Sequence, residues 1–166
     1  MKKFFGLLAV IIIGLSAQSQ KDTTTAPYLR FPTFPPLKIL EVDSATYFTK
    51  DKLKKNRPAM VMIFNPGCEH CQHETKELIA NIDKFKKIQI VMTTPESFGK
   101  MKEFYNEYKL KDFANITVGR DEHFVLPSFY YIHNLPFLAF YDKNQKLISV
   151  HEGTFGIDKI LEEFNK

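Results

Sequence analysis

Apolar and polar positions along this chain switch between two periods, and each switch marks an element. Ala59-Met60-Val61-Met62-Ile63-Phe64 is an unbroken apolar run, the pattern of a strand buried on both faces. From Cys68 the period lengthens. Leu78, Ile79, Ile82 and Phe85 recur at helical spacing with charged residues between them, which predicts a helix from Cys68 to about Lys86. Ile88 to Met92 is a second short apolar run and a second buried strand. Thr94-Pro95 opens another helix, with Phe98, Met101, Phe104, Tyr105 and Tyr108 on one stripe. Ile116 to Val118 reads as a minor strand, and Phe124 to Tyr131 as a short helix in spite of Pro127. Phe137 to Tyr141 and Leu147 to His151 are strands joined by the turn Asp142-Lys143-Asn144-Gln145. Gly153 ends the second of them, and Ile157, Ile160, Leu161 and Phe164 mark one face of a closing helix.

The first quarter is patterned differently. Gln18 to Pro36 is rich in Thr and Pro, and residues 20–36 read as an extended linker or an arm lying over the domain. Leu37 to Val42 is a first short strand. Asp43-Ser44 then caps a turn or short helix reaching about Lys55, and Asn56-Arg57-Pro58 breaks the chain before the long apolar run. Strands separated by helices pair in parallel, and the late hairpin adds an antiparallel edge. The order predicts an α/β domain over residues 37–166, a mixed central β-sheet with helices on both faces. There are no internal repeats.

The N-terminus changes where this domain is expected to work. Met1-Lys2-Lys3 is basic, Phe4 to Leu15 is apolar, and small residues follow, with Ala17 and Ser19 suited to cleavage. That is the pattern of a cleaved secretory signal over residues 1–19, so the protein is expected to be exported, to the periplasm or outside the cell. The apolar stretch is short for a bilayer span, and no cysteine lies near the cleavage region to carry a lipid. No stable membrane anchor is expected after cleavage. Cleavage leaves 147 residues (166 − 19), which suits one core, and 16 phenylalanines with no tryptophan supply much of it. The formal charge of +4 includes Lys2 and Lys3, so the mature chain is near +2 (4 − 2). That balance argues for neither nucleic acid nor a membrane surface as a partner.

Chemistry enters with the two cysteines, the only ones in 166 residues, in Cys68-Glu69-His70-Cys71. An exported disulfide scaffold needs several spaced cysteines, and a bridge across two residues closes almost no loop, so a structural staple is a poor reading. At a strand-to-helix junction the first thiol meets the positive end of a helix, which favours its thiolate and makes Cys68 the attacking group. A thiol–disulfide redox pair follows. Two alternatives stand beside it. The cluster Cys68, His70, Cys71 and His73 offers the S and N donors that Zn or Cu(I) accepts, but one helical turn is a poor tetrahedral frame, and no metal is assigned. His123, His133 and His151 have no ligand spacing, though His133 lies close to Pro136. Phe129, Tyr130 and Tyr131 fit core packing better than a docking patch.

Phe64-Asn65-Pro66-Gly67-Cys68-Glu69-His70-Cys71, then Leu135-Pro136-Phe137 before the hairpin, then Gly153 and the terminal helix together resemble the thioredoxin-like superfamily. Within it they are most similar to the exported TlpA/ResA-like thiol–disulfide oxidoreductases, over Leu37 to the end. The resemblance implies a thioredoxin fold and no cofactor. It implies that Cys68 attacks a partner's disulfide and that Cys71, deeper by one turn, resolves the mixed disulfide. Leu135-Pro136 would be a cis bond whose backbone meets the substrate. The partners would be protein thiols or disulfides and an electron donor or acceptor. Glu69 and His70 tune the potential in opposite directions, a protonated His70 favouring the Cys68 thiolate and Glu69 opposing it. Two positions depart from thioredoxin: Gly67 replaces a Trp, and Met62 replaces a buried Asp that moves a proton for the resolving cysteine. Water, Glu69 or an acid from elsewhere must do that work. A thiol peroxidase is the other enzyme reading on this fold, and Asn65 stands where those enzymes carry Thr.

Overall fold

Residues 25–166, which the computed structural model describes, run through twelve elements. In chain order these are α1 (Pro27–Arg30), β1 (Lys38–Glu41), β2 (Tyr47–Thr49), β3 (Ala59–Ile63), α2 (Glu69–Ala80), β4 (Gln89–Thr94) and α3 (Phe98–Glu107). There follow β5 (Ile116–Arg120), α4 (Val125–Tyr130), β6 (Phe137–Tyr141), β7 (Leu147–Glu152) and α5 (Ile157–Glu163). The signal reading of residues 1–19, and residues 20–24 of the arm, fall outside the described residues.

All seven strands make one sheet in the order β2-β1-β5-β4-β3-β6-β7. The β3–β4 and β4–β5 pairs are parallel, and β1–β2, β1–β5, β3–β6 and β6–β7 are antiparallel. The two parallel crossovers step the same way along the sheet, so right-handed connection puts α2 and α3 on one face. The core agrees. Met60, Met62 and Phe64 pack there with Leu78 of α2, Met101 and Phe104 of α3 and Ile157 and Ile160 of α5. The alternate residues Ala59, Val61 and Ile63 point to the other face, against Leu126 and Tyr130 of α4. All five residues of β3 are buried, which is why the strand reads as continuously apolar.

The second face is covered by the six residues of α4 and by the short α1, whose Tyr28 packs on Tyr130, and the rest of the arm completes it. Phe34, 1% exposed, and Leu37 belong to this second core, and the Phe34 ring lies 4.9 Å from Tyr141. Phe34 N donates to Gln145 O and Leu147 N to Pro32 O, so the arm is tied to the β6–β7 turn by backbone bonds.

Three expectations need correction. The helix expected to run to Lys86 stops at Ala80, and Ile82–Phe85 is a separate 3-10 turn. Asn81 caps the end: its backbone N–H and its side-chain amide both donate to the Glu77 carbonyl. Phe85 still reaches the core, so the apolar spacing is served by two short pieces. The turn or helix expected over 43–55 is mostly a hairpin, with β2 antiparallel to β1 and a 3-10 turn only at Lys50–Lys52. The Asp43 carboxylate accepts from Ala45 N and Thr46 N and closes the tight turn, and Phe48 is buried beyond it. The minor strand at 116–118 is five residues long and interior, between β4 and β1. Gly119 allows this: a Cβ there would lie 2.7 Å from Ile39 Cγ1.

Candidate active site

The carboxyl end of β3 hands over to α2 through Asn65-Pro66-Gly67, and three groups hold this turn. Asn65 Oδ1 accepts from Gly67 N at 2.8 Å and Asn65 O accepts from Cys68 N at 3.0 Å. Gln72 Nε2 reaches back to Pro66 O at 2.8 Å. Asn65 Nδ2 donates to Glu96 Oε1 at 2.9 Å, and Glu96 is itself held by Lys100. The turn therefore sets the first cysteine in a defined place at the helix start.

Cys68 is the N-cap of α2, and Cys71 N–H points at its sulfur, 3.4 Å away. A backbone donor thus faces the position where negative charge would form during exchange. Cys68 is half-buried and Cys71 is fully buried, and both are free thiols. Burial pushes the Cys71 thiol up from an ordinary 9.0 to about 12, with Cys68 adding to the rise and the Asn65 backbone N–H opposing it. The pair is asymmetric in access, and the deeper thiol is a weaker acid than an ordinary cysteine. One sulfur meets solvent at a donor-rich helix end, and the other waits beneath it as a neutral thiol.

Leu135 and Pro136 belong to the same end of the sheet. Phe137 pairs with Ile63, so the segment just before β6 lies beside the segment just after β3. The Leu135–Pro136 peptide is cis. Pro136 is buried and Leu135 half-buried, packed against both cores. Glu69 and His70 are exposed on the first turn of α2, and so is His73. Among the described residues, no three His, Cys, Asp or Glu side chains converge to hold a metal ion. Tyr130 is core, its hydroxyl bonded to that of Tyr141, and Phe129 is half-buried, whereas Tyr131 is exposed.

One residue of this region escaped the sequence reading. Glu74 is 3% exposed on the buried face of α2, three positions after Cys71. Its Oε2 accepts from Phe155 N at 3.1 Å, and its Oε1 is buried without a partner. Burial raises its pKa above the ordinary carboxylate range, against the Phe155 N–H and the nearby His73 and His151. Met62, where thioredoxin carries its acid, is fully buried among apolar side chains. The spacing of Cys71 and Glu74 puts both on one helical face, which was the available signal.

Solved structures resemble this arrangement of sheet and helices. A Mycobacterium tuberculosis DsbF structure in mixed oxidized and reduced forms superimposes with TM-score 0.66, at 21% identity, over 77% of this chain and 92% of that one. This chain has the thioredoxin fold. A putative thiol:disulfide interchange protein DsbE from Chlorobium tepidum gives TM-score 0.65 and 19% identity, over 79% of this chain and 91% of its own. A secreted Mycobacterium tuberculosis disulfide oxidoreductase homologous to DsbE of E. coli gives 0.64 and 19%, over 77% and 93%. No protein-family model matches the chain, and no curated protein sequence does. Within the thioredoxin fold, the sheet end that carries Cys68 is the end where the carboxyl termini of β3, β4 and β5 converge. Among the described residues, no helix is long and apolar enough to cross a membrane.

Proposed function

We propose that this protein is an exported thiol–disulfide oxidoreductase of the TlpA/ResA-like kind, exchanging electrons with protein disulfides through Cys68 and Cys71. The observation that carries the reading is the asymmetric pair: a half-exposed Cys68 capped by the Cys71 N–H, above a fully buried Cys71. The resembling structures named as disulfide oxidoreductases support it, and the apolar segment Phe4 to Leu15 supports export.

The exchange has two steps. The Cys68 thiolate attacks one sulfur of the partner's disulfide, forming a mixed disulfide and releasing the partner's first thiolate, which takes up a proton. Cys71 then gives up its proton and attacks the Cys68 sulfur. The Cys68–Cys71 disulfide forms, the mixed disulfide breaks, and the partner leaves with two electrons and two protons gained. Run backwards, the same steps oxidise a partner dithiol. With Cys71 at about 12, the second step requires a base. Glu74 serves as that base in this reading, because it is on the same helical face with an unpartnered oxygen. Leu135 offers backbone to an incoming strand, and Glu69 and His70 set the potential from the solvent side.

A Cys68→Ser variant, folded by circular dichroism, should lose all turnover with a protein disulfide. Undiminished turnover would overturn the proposal.

A further inference from the structure

We infer that Glu152 is a positioning residue for protein substrates, a role that rests on the exchange reading above. Glu152 closes β7 directly opposite Phe137, the first residue of β6. Its carboxylate accepts three N–H bonds from the segment preceding Pro136: His133 N at 3.1 Å, Asn134 N at 2.9 Å and Asn134 Nδ2 at 3.1 Å.

Ile132 and Leu135 pack that segment on the cores, but its hydrogen bonds to other described residues are few. Residues 131–136 leave α4 through Tyr131 in the left-handed region, at φ 54°. Ile132 N donates to Pro127 O at one end, and Pro136 O accepts from Gly153 N at the other. Between those two anchors, among the described residues, Glu152 is the one hydrogen-bond partner of the His133 and Asn134 backbone. Leu135, the next residue, has no backbone hydrogen bond to another described residue. Its N–H and C=O are the groups an extended substrate would meet. Bonds from N–H to a carboxylate are charge-assisted and directional, so one side chain on the edge strand sets the position of a backbone it does not belong to.

The consequence is selective. A protein disulfide arrives on a backbone and uses the presented loop. A small disulfide has no backbone and needs only access to Cys68. Glu152→Ala should therefore raise KM for the disulfides of insulin roughly tenfold or more, with kcat nearly unchanged. Turnover of hydroxyethyl disulfide and the equilibrium with glutathione should stay as in the wild type. Glu152→Gln keeps one acceptor oxygen and puts an NH2 against the other donor, so its loss should be intermediate. Amide hydrogen exchange should quicken at His133 and Asn134, whose N–H groups Glu152 accepts, in the Ala variant and stay unchanged in β3 and α2.

Equal losses with insulin and hydroxyethyl disulfide would overturn the inference, since Glu152 would then be supporting the dithiol or the fold. Unchanged insulin kinetics, or unchanged exchange at His133 and Asn134, would overturn it as well. A wild-type protein inactive on both disulfides would instead remove the exchange reading on which it stands.

Discussion

Alkylation of the two thiols gives a quantitative check on the asymmetry at the helix start. The perturbation is iodoacetamide added to the reduced native protein at about pH 8, with the urea-unfolded chain as reference. Cys71 held at about 12 against an ordinary 9.0 carries about one-thousandth of the thiolate it would have when unfolded. A more basic thiolate is also more nucleophilic. With a Brønsted slope of about 0.4–0.5, three decades of acidity return about 1.2–1.5 decades of rate. The two effects leave native Cys71 slower than unfolded Cys71 by about 30- to 60-fold, and complete burial slows it further. Intact mass and peptide mapping over time should show one adduct, at Cys68, long before the second. Because burial is the first cause of the shift, Cys71 should stay slow in a Cys68→Ser variant too. A native Cys71 rate within about threefold of the unfolded rate would refute the reasoning.

Two further predictions concern the arm and the buried acid. Phe34→Ala removes a ring that is 1% exposed in the second core, and should cost about 3 kcal/mol and lower Tm by about 10 °C by calorimetry. Leu29→Ala, at an exposed site a few residues earlier, should stay within about 0.5 kcal/mol, and equal effects of the two would mean that the arm is a loose linker. Glu74 has a raised pKa in the folded chain, so the native state holds its proton more tightly than the unfolded one does. Wild-type stability should therefore fall as pH rises from the ordinary 4.5 through the raised value, and Glu74→Gln should lack that fall. Urea midpoints should show the variant gaining on the wild type with rising pH, and a flat difference would contradict the burial of a carboxyl there.

Elements whose pattern was imposed locally were legible in the chain. β3 and β6 are buried on both faces, so they read as unbroken apolar runs, and the cysteine pair sits where such a run meets a helical period. Elements decided at a distance were not. An Asp followed by N–H groups two and three residues on caps a helix as well as it closes a tight turn, and Phe48 settled the matter by packing on a face formed elsewhere. β5 looked minor because Gly119 weakens its pattern, yet that glycine is what lets Ile39 of β1 close over it. The Pro-rich arm conceals Phe34, which has no periodicity of its own and gains its meaning from Tyr141 and its neighbours. At the site, Cys68, Cys71, Leu135 and Pro136 were marked by motif. Glu74 and Glu152 were not, since a charged residue in a helix or at a strand end ordinarily signals solvent.

Cys68 and Cys71 are expected to form one reversible two-electron couple. Equilibrating the protein across glutathione redox buffers, with acid quench and mass detection, tests it directly. The account predicts a single transition between dithiol and intramolecular disulfide, with a slope of about 30 mV per decade and a midpoint between about −270 and −120 mV. Two thiols that stay reduced throughout, or that collect glutathione independently without joining, would contradict it.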